Sequence, residues 1–82
     1  MHEFGIAQSI LEAVRTEAAK HPGARAVKVG VRIGPMAGVD RESLSFCFQA
    51  AAEMDGDAGL ALELEEGASD ELDLKYIELE EP

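Results

Sequence analysis

Ala26-Val27-Lys28-Val29-Gly30-Val31-Arg32-Ile33-Gly34 alternates strictly, with Val27, Val29, Val31 and Ile33 on one face and Lys28, Gly30 and Arg32 on the other. Side chains point to opposite faces of a strand with a period of two, so the run predicts a half-buried β-strand. One apolar face needs cover, and the flanking sequence supplies it. Upstream, from Phe4 to Lys20, Ala7, Ile10, Leu11, Val14 and Ala18 recur at spacings of three and four, the stripe of an amphipathic helix. His21-Pro22-Gly23 stops it, because proline disfavours helical geometry in the residue before it and glycine permits a reversed turn. Downstream, Gly34 to Gly38 has turn chemistry. Asp40 then precedes Leu44, Cys47, Phe48 and Ala51 at helical spacing, which starts a second helix at Asp40.

Met54 to Gly59 breaks that helix, and Leu60, Leu62 and Leu64 then alternate with Ala61, Glu63 and Glu65 in a second strand. A third strand carries Leu72, Leu74 and Tyr76. Ile77 and Leu79 continue it out of phase, which places a bulge or a strand end near Lys75. The connection between these strands is short and acidic, so they are expected to pair as a C-terminal antiparallel hairpin. The expected fold is therefore an α+β two-layer sandwich of order α-β-α-β-β, with two helices packed on one face of a three-stranded sheet. Lys28, Arg32, Glu63, Glu65, Asp73 and Lys75 would lie on the opposite, exposed face and offer cross-strand ion pairs. A free sheet edge there could pair with a second copy of the chain.

At 82 residues the chain has room for a single small core, and 46% hydrophobic content is enough to fill one despite a net charge of -10. The charge is uneven. Six Lys or Arg stand against five Asp or Glu up to Ala52, whereas beyond it Lys75 alone faces twelve acids. That balance argues against nucleic acid, whose binding relies on clustered cations. The single cysteine, Cys47, rules out an intramolecular disulfide and a Cys-rich zinc site; its place on the apolar stripe gives it a packing role. No basic segment leads into an apolar one and no run is long enough to span a bilayer, so a cytoplasmic protein away from membranes is expected. The glycines form no phosphate loop, and no serine has a His near it in sequence, so neither nucleotide binding nor catalysis is expected.

Chemically, Met1-His2-Glu3 stands out. A terminal amine, the His2 amide and the His2 imidazole lie close along the chain and can hold one metal ion in small fused chelate rings, with the Glu3 amide as a fourth nitrogen. Planar nitrogen donors suit nickel(II) or copper(II). Read by itself, His2 is more readily an ordinary polar residue before a helix than a ligand, because a single terminal His is a weak metal signal. Asp40 suits a helix N-cap better than a metal contact, though one residue could serve both. His21, near a helix C-terminus, suits a role towards the helix dipole or solvent.

Met1-His2-Glu3 running into Phe4 to Leu11, then Val29 to Gly34, then Ala37 to Leu44 with Phe46-Cys47-Phe48, resembles the HypA/HybF family of hydrogenase nickel-incorporation proteins. The likeness covers about residues 1–66 and resumes at Glu71 to Glu80. It implies a nickel metallochaperone for [NiFe]-hydrogenase maturation. Nickel would be held by His2, the Met1 amine and Glu3, with Asp40 near the metal. A GTPase maturation protein and the hydrogenase large-subunit precursor would be the partners. The family carries a zinc domain with paired CxxC motifs between the last two strands. Here that interval is Gly67 to Asp70, so residues 1–82 are expected to form a single nickel-binding domain without zinc. The alternative is a module of the same fold that docks or dimerises without delivering metal.

Overall fold

The computed structural model describes residues 2–82, and the elements run α1 (Glu3–Ala18), β1 (Arg25–Ile33), α2 (Arg41–Met54), β2 (Ala61–Glu66) and β3 (Leu72–Glu80). Both helices cover one face of a three-stranded sheet: α1 packs on α2, β1 and β3, while α2 packs on β2. The core between the layers is built from Ala7, Ile10, Leu11 and Val14 of α1, Val29, Val31 and Ile33 of β1, and Leu44, Phe48, Ala51 and Ala52 of α2, closed by Leu60. These are largely the stripes read from the sequence, except that Ala52 joins the core and Ala18 lies outside it. Cys47 is half-buried and packs against the same cluster.

The expected hairpin is not there. The strand order is β2-β1-β3, with β2 parallel and β3 antiparallel to β1. β1 therefore lies between the two strands that were expected to pair. A short connection requires only that β2 leave the sheet at the end where β3 enters it and that the two run in opposite directions. Crossing one intervening strand spans two strand spacings, about 9.6 Å, and the five residues from Gly67 to Glu71 reach about 16 Å when extended. The connection passes over the end of β1 and is bonded to it: Gly67 N–H donates to Ile33 O (2.9 Å), Gly34 N–H to Glu71 O (2.8 Å) and Met36 N–H to Ser69 O (2.7 Å). β1 and β2 are joined through α2, the helical crossover that a parallel pair needs.

Two bulges set which residues face the core. On β3, Gly30 pairs with Tyr76 and Val31 with Leu74, so Lys75 is the extra residue, at the phase slip seen in the sequence. On β1, Ala26 pairs with Leu79 and Lys28 with Glu78, which makes Val27 the extra residue. Val27 was expected on the inner face. The bulge puts Ala26 against the core in its place.

The outer face carries the expected charges. Lys28 lies 3.9 Å from Glu63 and Arg32 lies 3.5 Å from Glu65, while Glu71, in the connection, joins both Arg32 (3.9 Å) and Lys75 (4.0 Å). Pairs this exposed contribute about 0–1 kcal/mol each. Tyr76 is more specific. Its ring lies across Gly30, where a Cβ would stand 2.1 Å from the ring, and its hydroxyl donates to Glu63 on the far strand. One side chain thus spans all three strands. The bond to Glu63 raises the phenol from its ordinary 10.0 to about 12, because the carboxylate accepts from the neutral phenol and repels the phenolate. Its contribution to stability is complete below the ordinary value and is lost as pH rises through about 12. The phenolate absorbance of Tyr76 is expected to titrate near 12 and to fall back towards 10 in Glu63→Ala. Identical midpoints in the two proteins would remove this contact from the fold.

Candidate metal centre

His2 is the N-cap of α1, with φ -89° and ψ 75°; it is exposed, and its side chain caps nothing. The first ladder bond of the helix runs from Ile6 N–H to His2 O (3.1 Å). Glu3 begins the helix, so its N–H belongs to the first turn, whose donors have no carbonyl partner within the helix. That amide can give up its proton without breaking the helix ladder. Met1, whose amine was expected to complete the chelate, lies outside the described residues.

The start of α1 is fastened to the start of α2. Glu3 Oε2 accepts a hydrogen bond from the backbone N–H of Asp40 at 3.0 Å, and this bond holds the Glu3 carboxyl below its ordinary range. Asp40 caps α2 as its residue type suggested: with φ -82° and ψ 114°, its Oδ1 accepts from Ser43 N–H at 3.0 Å. A cap of this kind stabilises a helix by about 1 kcal/mol. His2, Glu3 and Asp40 are thus brought to one end of the helix layer. Among the described residues no three His, Cys, Asp or Glu side chains stand close enough to form a metal cluster. A cation bound here would take main-chain nitrogen as well as side chains.

Arg41 escaped the sequence reading. Its guanidinium donates to Ile33 O (2.9 Å) and lies 3.0 Å from the Glu66 carboxylate, tying the first turn of α2 to the ends of β1 and β2. The signal was present, a cation directly after a helix cap, but its partners come from elements that only the fold brings near. His21 lies at the far end of α1, with Nε2 3.6 Å from Glu17 Oε2, and takes the surface role expected of it.

Two helices on one face of a mixed sheet, stapled to each other beside an exposed histidine, define a small two-layer α+β protein that offers backbone nitrogen at its chemically marked end. The chain belongs to the HypA family, described as hydrogenase/urease nickel incorporation, metallochaperone, whose model matches residues 1–73. It is similar to the hydrogenase maturation factor HypA of Pelodictyon phaeoclathratiforme, 44% identical over 66 residues, covering 80% of this chain and 56% of that protein. The same factor from Chlorobium limicola is 44% identical over 69 residues (84% and 60% of the two chains), and that from Escherichia coli 38% over 66 residues (80% and 57%). The chain thus spans little more than half the length of the curated relatives it matches. The solution structure of the Ni metallochaperone HypA from Helicobacter pylori matches with a TM-score of 0.84 across 100% of both chains at 14% identity, a likeness of fold.

Proposed function

We propose that this chain binds nickel(II) at its first three residues and holds it as cargo for [NiFe]-hydrogenase maturation. The observation that carries this reading is the family match over residues 1–73, which includes His2, Glu3 and Asp40. The His2 imidazole supplies the side-chain ligand, and the Met1 amine and the His2 and Glu3 amides complete a plane of nitrogens. Glu3, through its bond to Asp40 N–H, ties the start of α1 to that of α2 and so positions the site. Asp40 serves as cap and lies near the metal.

In this reading residues 1–82 act as a single nickel-binding domain, and the connection at 67–70 stands where relatives carry a zinc domain. The chain works in the cytoplasm without catalysing a reaction, beside a GTPase maturation protein and the hydrogenase large-subunit precursor. Among the described residues no helix is long and apolar enough to cross a membrane. Because amine, imidazole and amides all bind deprotonated, affinity falls as pH falls, which gives a route to release.

Nickel titrated into protein with an unblocked Met1 is expected to bind with a planar d–d absorption band. Removing a group that merely orients a ligand weakens metal binding about 10–100-fold, so deleting the ligand itself in His2→Ala is expected to weaken it more than about 100-fold. Equal binding by both proteins would move the site elsewhere.

A further inference from the structure

We infer that the open edge of β3 and the groove beside it form a docking surface for an extended segment of a partner protein in which apolar residues alternate with Lys or Arg. β3 ends the sheet, and its nine residues leave one side of the backbone without a strand partner among the described residues. Such an edge is a template for strand addition. Beside it, between α1 and β3, runs a largely apolar cavity of about 340 Å³ lined chiefly by Ile6, Ile10, Ala13, Leu72 and Leu74, with Ser9 and Asp73 also bordering it. Leu72 and Leu74 face the helix layer, opposite Ile33 and Val31 of β1, yet remain 37% and 38% exposed because nothing beyond them continues the sheet beneath α1. The small side chains of Ser9 and Ala13 keep that wall of the groove low. A fourth strand laid against β3 would send every second side chain into this groove, and apolar residues fit there.

The remaining side chains of such a strand would lie beside the outward-facing residues of β3. Asp73 pairs with Arg32, Glu78 with Lys28 and Glu80 with Arg25 in register, so all three acids belong to the outer face. Of the six acids between Asp70 and Glu81, Glu71 and Glu80 have a cation within 4.0 Å, and Asp70, Asp73, Glu78 and Glu81 have none among the described residues. Opposite charges across a strand pair attract, and like charges directly opposite destabilise. A second copy of this chain paired through β3 would set acid against acid. A strand bearing Lys or Arg on that face neutralises them, so the charge selects a basic partner over self-association.

The test uses the full chain, isotopically labelled for NMR, titrated with a capped nine-residue peptide alternating valine and lysine, and separately with its valine and glutamate counterpart. The lysine peptide is expected to shift amides of residues 72–80 and 6–13, to slow hydrogen exchange along β3 and to bind more weakly as salt rises. Glu78→Lys, a surface change, and Leu74→Asp are each expected to weaken binding by about tenfold or more while leaving the spectrum folded. The inference is overturned by equal binding of the glutamate peptide, by shifts along β2 or α2 instead, by no binding, or by a dimer of the unliganded chain whose β3 amides are already protected.

Discussion

Replacing Phe48 with alanine is expected to destabilise the protein by about 3–5 kcal/mol, the range for truncating a buried phenylalanine. Phe48 is 2% exposed and is among the largest fully buried side chains, set on α2 between the layers. Removing its ring opens a cavity at the one place where α1, α2 and β1 all contribute to a single core, and no second core exists among the described residues to hold the layers together. At about 0.05–0.15 kcal/mol per residue a chain of this length has roughly 4–12 kcal/mol in total, so this single change removes a large part of it. With a slope of about 1.5 kcal/mol/M the urea midpoint would fall by about 2–3 M. A fall below about 0.5 M would mean that the helix layer is not seated on the sheet in this way.

The second large effect is expected from the smallest side chain that can be added. A Cβ on Gly34 would stand 2.3 Å from Ser69 O and 2.5 Å from Ala68 O, both backbone atoms of the connection over the end of β1. Backbone cannot rotate away as a side-chain tip can. In Gly34→Ala the connection has to lift, which breaks the bonds from Gly34 N–H to Glu71 O and from Met36 N–H to Ser69 O. Two backbone bonds at about 0.5–1.5 kcal/mol each, with the strain of overpacking, give a loss of about 2–4 kcal/mol. Hydrogen exchange locates it: the amides of Gly34, Met36 and Gly67 should lose protection ahead of those of α1. Uniform loss across the chain would argue against local lifting.

The helices and strands were legible because each carries its pattern in its own residues. The stripe from Ala7 to Val14, the alternation from Val29 to Ile33 and the Asp40 cap are local statements, and local physics made them true. The bulge at Lys75 could be read because Leu72 and Leu74 fall out of phase with Ile77 and Leu79. The bulge at Val27 could not, since a β-branched apolar residue continues the alternation and leaves no mark. The hairpin failed because chain distance fixes where β2 and β3 meet the sheet edge-on and in which direction, while adjacency depends on whether another strand claims the space between. β1 takes that space, with Val29, Val31 and Ile33 buried beneath the helices. At the candidate site, the Asp40 cap was legible from its position before a helix, whereas His2 and Glu3 are singled out by chelate chemistry only together with the family resemblance. The bond between Glu3 and Asp40 N–H, and the anchoring of Arg41, join residues that no sequence spacing relates.

The central place of β1 also governs how this protein must assemble in time. Its parallel neighbour is reached only through the α2 crossover, and its antiparallel neighbour includes the pair Arg25 and Glu80, 55 residues apart in the chain. Contacts of that separation close loops late and slow the folding of the whole. Until β3 docks, the backbone of β1 presents an unpaired strand edge, the kind of surface through which partly folded chains aggregate. The last strand of the sheet therefore acts as the safeguard of the first, and a chain that loses it is expected to be found in inclusion bodies before it is found short of a ligand.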